Sequence, residues 1–345
     1  MFELLKKYTE LPGPIGHEDR VQNEFFKDLK KFTDKIQITN VGNVIAHFPG
    51  KRRKVIILGH ADEICSSVLS ITDNGFLHIS TLLCGRTDKI QYPYCIVGQK
   101  ALVIGDKEDI RGAFVAPSCH VLRITEREMP LEDWNILVDI GAFSKDEVIE
   151  RGIHVGSPVI WNPITENLGK VFIGKAMDDR ISHFIMIELA KKLEGNEINC
   201  DLYMASTIQE EIGGLGAQAL ARYGYDVSIA LDIGIAGDYP TLPAGRAPIN
   251  LGGGPVIVYR DSKLHYNLKI IQELRATAER NAIPYQHGLF IGYFSDSAFM
   301  IAGGTKPNLI APPCRYSHMP VEMVHKEDLE NTIKLLYHYV TDKNL

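Results

Sequence analysis

The chain has 345 residues, 45% of them hydrophobic and 23% charged, which is enough to bury a large core and excludes disordered and fibrous classes. Its formal net charge is -6, and no basic cluster exceeds the short KRRK run at Lys51 to Lys54, so nucleic acid is excluded as an expected partner. No apolar run approaches a membrane span, and Glu3, Lys6 and Lys7 fall where a signal peptide needs its apolar region; a cytoplasmic protein with no membrane partner is expected.

In chain order, residues 18 to 32 show helical periodicity after a PGPIG turn, and IQITNVGNVIAHF alternates like a hairpin around Asn40 to Asn43. KVIILGHAD is a short apolar run leading into charge, as a buried strand of a mixed sheet ends. From about Ile71 to Trp161 the runs FLHISTLL, YCIVGQKALVIG, NILVDIGA and GSPVIWN read as strands, with one helical segment near Ser144 to Arg151. Helix and strand then alternate. DDRISHFIMIELAKKLEG is a helix stopped by Gly195, followed by the LYMAST strand, a helix over GAQALARYG and the VSIALDIG strand. Helices from Lys263 to Asn281 and from Lys326 to Val340 complete the pattern. It predicts an α/β domain over residues 1–70 and 162–345, interrupted at 71–161 by a small β-rich domain.

The six cysteines (Cys65, Cys84, Cys95, Cys119, Cys200, Cys314) are scattered with no C-x-x-C pair, which fits reduced thiols. A metal site must then come from His, Asp and Glu. In GHADE, His60 and Asp62 are two apart, so an extended backbone projects both to one side, where a carboxylate can hold an imidazole N–H and aim its other nitrogen at a metal. In GKAMDDR, Asp178 and Asp179 precede a helix, giving one candidate ligand and one candidate cap. Asp232 ends the VSIALDIG strand, and His318 stands in PCRYSHMP before the last helix.

The stretch STIQEEIGGLGA sets Glu210 beside Glu211 where a strand meets a glycine-rich turn. Adjacent like charges repel unless a cation or solvent relieves them. Two His and three carboxylates, namely His60, Asp178, Glu211, Asp232 and His318, suffice for two divalent ions. If the adjacent glutamates diverge from an extended backbone, one can bind metal while the other serves as general base.

Taken in order, GHADEI, GKAMDDRI, QEEIGGLGA, ALDIG and RYSHMPVEMV span nearly the whole chain, and it resembles the TET-type (tetrahedral) aminopeptidases, relatives of glutamyl and deblocking aminopeptidases that are sometimes labelled endoglucanases. The resemblance implies a mixed-sheet, three-layer α/β/α di-zinc peptidase domain carrying a barrel-like insertion. It implies His60, Asp178, Glu211, Asp232 and His318 as ligands of two zinc or cobalt ions, with Asp178 bridging. Glu210 would be the catalytic base, and Asp62 the carboxylate behind the His ligand. It further implies peptide substrates with free N-termini, an insertion that dimerises, and dimers assembled into a tetrahedral dodecamer. The chain departs from the family's usual pattern at Leu215, at Tyr293-Phe294-Ser295 before Asp296, and at Met319, all of which bear on the substrate pocket.

Manganese suits the same donors. Other readings are a carboxypeptidase or deacylase with the same chemistry, a glycoside hydrolase, and a non-catalytic protein with structural metals. A glycoside hydrolase wants two separated carboxyl groups and gives His60 and His318 no role. Structural zinc sites are usually rich in sulfur. Basic residues that would favour acidic substrates, Arg86, Lys89, Arg260 and Arg315, have no place assigned by sequence.

Overall fold

The computed structural model describes residues 1–80, 93–126, 133–243 and 245–343. Cys84, Arg86, Lys89 and the end of the FLHISTLL run lie outside the described residues. The chain divides into two compact units: Met1–Glu63 with Thr165–Ser317 and Val321–Leu345, and Ile64–Ile164 with His318–Pro320.

The chain opens with helices α1 (Phe2–Glu10) and α2 (Asp19–Leu29), then strands β1 (Ile36–Ile38), β2 (Val44–Phe48) and β3 (Lys54–His60). Next come β4 (Ser66–Ile71), β5 (Leu77–Ile79), α3 (Pro93–Ile96), β6 (Lys100–Ile104), β7 (Asp109–Val115), β8 (Leu137–Asp139), α4 (Lys145–Glu150) and β9 (Pro158–Trp161). The chain continues through β10 (Glu166–Asn167), β11 (Val171–Gly174), α5 (Met177–Leu193), β12 (Asp201–Thr207), α6 (Leu215–Ala221), β13 (Val227–Leu231) and β14 (Gly234–Ile235). It closes with β15 (Val256–Arg260), α7 (Leu268–Arg280), β16 (Gln286–Leu289), α8 (Ser297–Met300), β17 (Lys306–Ala311), β18 (Pro313–Arg315), β19 (Glu322–His325) and α9 (Lys326–Thr341).

In the first unit, eight strands form one mixed sheet in the order β1-β2-β12-β3-β13-β17-β15-β16. Its centre is parallel, with β12 against β3, β3 against β13 and β13 against β17. Every residue of β13, and every residue of β3 after Lys54, is buried, so both read as near-continuous apolar runs, as strands covered on both faces do. Helices cover the sheet in two groups: α5 packs on β3, α1 and α9, while α6 packs with α8, which lies on β13 and β17. This is the mixed α/β arrangement expected. Because β3, β12 and β13 run the same way, with Thr207 opposite His60, their C-terminal ends gather at one edge, the usual place for sites in such sheets. A second, five-stranded sheet, β10-β11-β19-β18-β14, completes this unit.

Two points differ from the sequence reading. The helix expected from Lys263 begins at Leu268: Asp261 accepts the Lys263 and Leu264 amides in a local turn, and Asn267 caps the helix by accepting from Ile270. Helix α1 and the strands β15 to β19 add to the elements read from sequence. No helix is long and apolar enough to cross a membrane among the described residues.

The second unit is a closed barrel, β4-β5-β8-β7-β6-β9, filled by Val68, Leu77, Val103, Phe114, Val138 and Trp161. Strand β4 pairs with both β5 and β9, so the barrel begins at Ser66, ahead of the boundary at 71 read from composition. The start of the YCIVGQKALVIG run is a helical turn rather than strand; Gly98, at φ +87°, ends it before β6. A further short helical turn, Asp133–Asn135, adds to the one helix expected, α4, which Ser144 caps.

Candidate metal centre

His60 is the last residue of β3 and is buried. Its Nε2 lies 3.2 Å from Asp178 Oδ1, and one donor atom each of His60, Asp178 and Asp232 lie within 4.8 Å of one another. Asp232 directly follows β13, so the two parallel strands deliver two of these side chains and the start of α5 delivers the third. A Glu211 carboxylate oxygen also lies within 4.8 Å of one of Asp178. The Nδ1 of His60 is 3.5 Å from Asp62 Oδ1 and 3.2 Å from the Asp62 carbonyl oxygen.

The Asp62 carboxylate has a larger task than steadying the imidazole. Its two oxygens accept the backbone N–H groups of Glu210, at 3.0 Å, and Glu211, at 3.1 Å. The glutamate pair stands in a tight turn rather than on the extended backbone expected: Gln209 has φ +51°, and the Gly213 and Gly214 amides both donate to the Glu210 carbonyl at 2.9 Å. Both glycines have positive φ, so a side chain at either would strain the turn. The environments of the pair differ. Glu210 Oε1 is buried without a hydrogen-bond partner among the described residues, whereas Glu211 approaches Asp178.

Asp179 does not cap α5. It has non-helical backbone angles, follows a cis peptide bond from Asp178, and accepts the His60 backbone N–H at 3.1 Å through a fully buried carboxylate. The approach is close enough to require Gly59, where a Cβ would stand 2.3 Å from Ser182 Cβ and 2.6 Å from Asp179 Oδ2.

The electrostatics favour a cation. Burial first, then the charges of neighbouring carboxylates, pushes Asp232, Asp179 and Glu210 well above the usual carboxylate range, with His60 pulling the other way. Asp296, whose carboxylate accepts the Thr207 hydroxyl, is raised to about 7, again chiefly by burial. Burial alone would lower the His60 pKa, but Asp178 and Asp62 overcome it and hold the ring well above its ordinary value. Buried carboxylates thus outnumber the one imidazole among them, and Asp179 Oδ1, Asp296 Oδ1 and Glu210 Oε1 lack partners among the described residues. Oxygen donors with one imidazole nitrogen fit a zinc-class divalent ion.

Other groups surround the cluster, and of these only Tyr293, half-buried here, stands out in the sequence. Glu322 accepts the Asp178 backbone N–H at 2.9 Å, and Tyr293 donates to the Ile233 carbonyl at 3.0 Å, beside Asp232. Glu63 takes Lys175 at 2.7 and 2.6 Å and Arg180 at 3.4 Å in a buried ion cluster. Glu18, buried at the start of α2, is raised to about 7 mainly by burial. Among the buried ones, Glu63 carries one sequence signal, its adjacency to Asp62. Of the basic residues left unplaced, Arg315 is paired with Asp238 at 2.6 and 2.5 Å, and Arg260 is exposed at the end of β15.

His318, in the turn between β18 and β19, is exposed with φ +61°; residues His318–Pro320 group with the barrel unit. In the sheet unit, a cavity of about 780 Å³ is lined by apolar side chains including Ile235, Ile249, Leu289 and Phe290, with Arg246 and His287. Phe290 is in ring contact with Tyr293, at 5.1 Å between centroids, which sets this cavity one side chain, that of Tyr293, away from the Ile233 carbonyl next to Asp232.

Buried His and carboxylate donors gathered at the strand ends of a mixed α/β sheet are the setting of a candidate metal centre. The chain belongs to the M42 glutamyl aminopeptidase family, whose model matches residues 42–335, and this makes it a metal-dependent aminopeptidase. The lysyl aminopeptidase of Pyrococcus furiosus is 32% identical, with 97% of this chain and 95% of the relative covered. An aminopeptidase from the archaeon Desulfurococcus kamchatkensis superposes with a TM-score of 0.91 at 31% identity, covering 99% of this chain and 94% of that one. The TET1 peptidase of Pyrococcus horikoshii, described as able to assemble into a tetrahedron or a large octahedral shell, superposes with a TM-score of 0.87 at 28% identity, covering 99% of both.

Proposed function

We propose that the protein removes N-terminal residues from peptides at a dinuclear centre in which Glu210 is the general base. The observation that carries this is the contrast between the paired glutamates: Asp62 fixes both backbones, Glu211 lies beside Asp178, and the Glu210 carboxylate keeps a buried oxygen without a partner among the described residues. His60, Asp178 and Asp232 supply one set of donors, Asp178 and Glu211 reach toward a second, and His318 completes the set by its position in the family motif. Zinc or cobalt in this centre, or manganese, would supply Lewis-acid polarisation of the scissile carbonyl and make a water easier to deprotonate.

The chain's own residues do the rest. Glu210 takes a proton from the attacking water and returns it to the leaving amine, which an amide nitrogen needs because it is a poor leaving group. Burial favours the neutral carboxyl of Glu210, so its charged form is a base ready to accept a proton. Carboxylates left over from metal binding meet the substrate's free α-ammonium group, which confines cleavage to the first residue. The cavity lined by Phe290, Ile249 and Leu289, with Arg246 and His287, is the proposed seat of the first side chain. The likeness to the P. horikoshii peptidase supports a homo-oligomer; the proposal includes a barrel unit that joins subunits into dimers of a tetrahedral dodecamer. A cytoplasmic location is consistent with this reading.

The test is a panel of peptides with free and blocked N-termini, assayed before and after chelation and after zinc or cobalt is restored. Stepwise release of the first residue from free peptides only, lost with the metal and regained with it, supports the proposal. Cleavage confined to blocked peptides or C-terminal bonds would instead support the deacylase or carboxypeptidase reading.

A further inference from the structure

The segment that carries Glu210 is held from both sides. The carbonyls of Ser206 and Thr207 each accept from Gln22 Nε2 at 3.2 Å, and the Ile208 N–H donates to Asn43 Oδ1 at 3.2 Å. The N–H groups of Glu210 and Glu211 go to Asp62. Between these lies the Gln209 N–H, which donates to Glu18 Oε1 at 3.2 Å, and the same oxygen accepts the Gly16 N–H at 2.8 Å. Every backbone N–H from 208 to 211 is thus received by a side chain from elsewhere in the sheet unit.

Glu18 stands at the N-cap of α2, where an acidic residue ordinarily caps the helix, yet it makes no side-chain cap hydrogen bond. Its carboxylate turns instead toward Gly16 and Gln209. Glu18 and Gln22 are one helical turn apart, so a single face of α2 reaches both the end of β12 and the turn beyond it. Gln209 is the residue that needs such support, because its φ of +51° is costly for a side-chain-bearing residue and persists only where its surroundings fix it. It immediately precedes Glu210.

We infer that Glu18 is a positioning residue for catalysis: by accepting the Gln209 and Gly16 amides on one buried oxygen, it ties the N-terminal loop to the turn that aims Glu210. The inference rests on Glu210 being the base. A misplacement of about 1 Å at a reacting group costs on the order of a hundredfold in rate, so loosening this one tie lowers kcat without removing any group that touches substrate. The acceptor oxygen, rather than the charge, is what the geometry uses. Glutamine keeps that oxygen, and methionine keeps the length but loses it.

The test compares Glu18→Gln and Glu18→Met with the unaltered protein. Three quantities are read: kcat and KM on the best peptide of the panel, metal content, and hydrogen exchange at the Gln209 amide. The expected result for Glu18→Met is a fall in kcat of at least about tenfold, with KM and metal content within about twofold and faster exchange at Gln209. Glu18→Gln is expected to stay within about threefold of the unaltered protein, with Gln209 still protected. The inference is overturned if Glu18→Met retains kcat, if it loses metal or fails to fold, or if Glu18→Gln is as impaired as Glu18→Met. Should the unaltered, metal-loaded protein release no residue from any peptide, the aminopeptidase reading fails alone; exchange at Gln209 in the two variants still decides whether Glu18 holds the turn.

Discussion

Replacing Glu63 by Gln tests how the N-terminal segment and the sheet are joined beneath the site. Glu63 accepts Lys175 Nζ on both carboxylate oxygens, receives Arg180 at 3.4 Å, and also accepts the Gly13 N–H at 3.1 Å. The three charged side chains are 6%, 2% and 0% exposed. Arg180 keeps the Tyr8 and Leu11 carbonyls at 2.9 and 2.8 Å when the carboxylate goes, so the loss falls mainly on the Lys175 ammonium. Removing one partner of a buried ion pair costs about 3–5 kcal/mol, and the amide oxygen retained by Gln sets the expectation near the lower end, about 3 kcal/mol. Equilibrium urea denaturation followed by circular dichroism measures it. Adding Lys175→Met removes the stranded charge and should recover more than half of the loss, since the two sites share one interaction. A loss under about 1 kcal/mol for Glu63→Gln, or a double variant as unstable as the sum of the singles, would refute the reasoning.

Two more expectations concern the cluster. Metal-free protein should lose stability as pH rises: Asp296, at about 7, and Asp232, Asp179 and Glu210 are all raised, so the folded state binds more protons than the unfolded one. That contribution is complete below the unfolded carboxyl pKa values and fades as pH climbs through the folded ones, so chelated protein should melt at lower temperature at about pH 8 than at about pH 5.5. Restoring metal should abolish or reverse the difference; a chelated protein most stable at the higher pH would contradict the sign. Gly59→Ala should cost about 1–3 kcal/mol by overpacking, because its Cβ meets Ser182 and Asp179, and should also weaken metal binding through displaced His60. Calorimetric titration with zinc checks the second effect, and unchanged affinity would mean that Asp179 does not steady His60.

The elements legible in sequence were those whose pattern is local. The β1–β2 hairpin, β3, β12, β13 and helices α2, α5, α6 and α9 all announce themselves by period or by an apolar run that ends in charge. The sequence sets the start of α7 at Lys263, but Asp261 and Asn267 draw the nearby amides into turns and the helix begins at Leu268. Strands β15 and β17 find partners far along the chain, and β18 and β19, though paired with each other, are only three and four residues long, so neither pair stands out as a local pattern. In the cluster, strand ends revealed His60 and Asp232, and the paired glutamates revealed themselves. Glu18, Asp179 and Glu322 act by accepting backbone N–H groups from segments far along the chain, and such pairings leave no mark at the acceptor's own position. Asp179 in particular reads as a helix cap, whereas it lies inside the first turn of α5 with non-helical backbone angles of its own.

The division of labour between Glu210 and Glu211 is tested most directly by Glu210→Gln, assayed for release of the first residue from a free peptide while metal content is measured on the same sample. Removing a general base should lower kcat by about 10²- to 10⁴-fold, with metal content unchanged. A Glu210→Gln protein that keeps its metal and a near-normal rate would contradict the account.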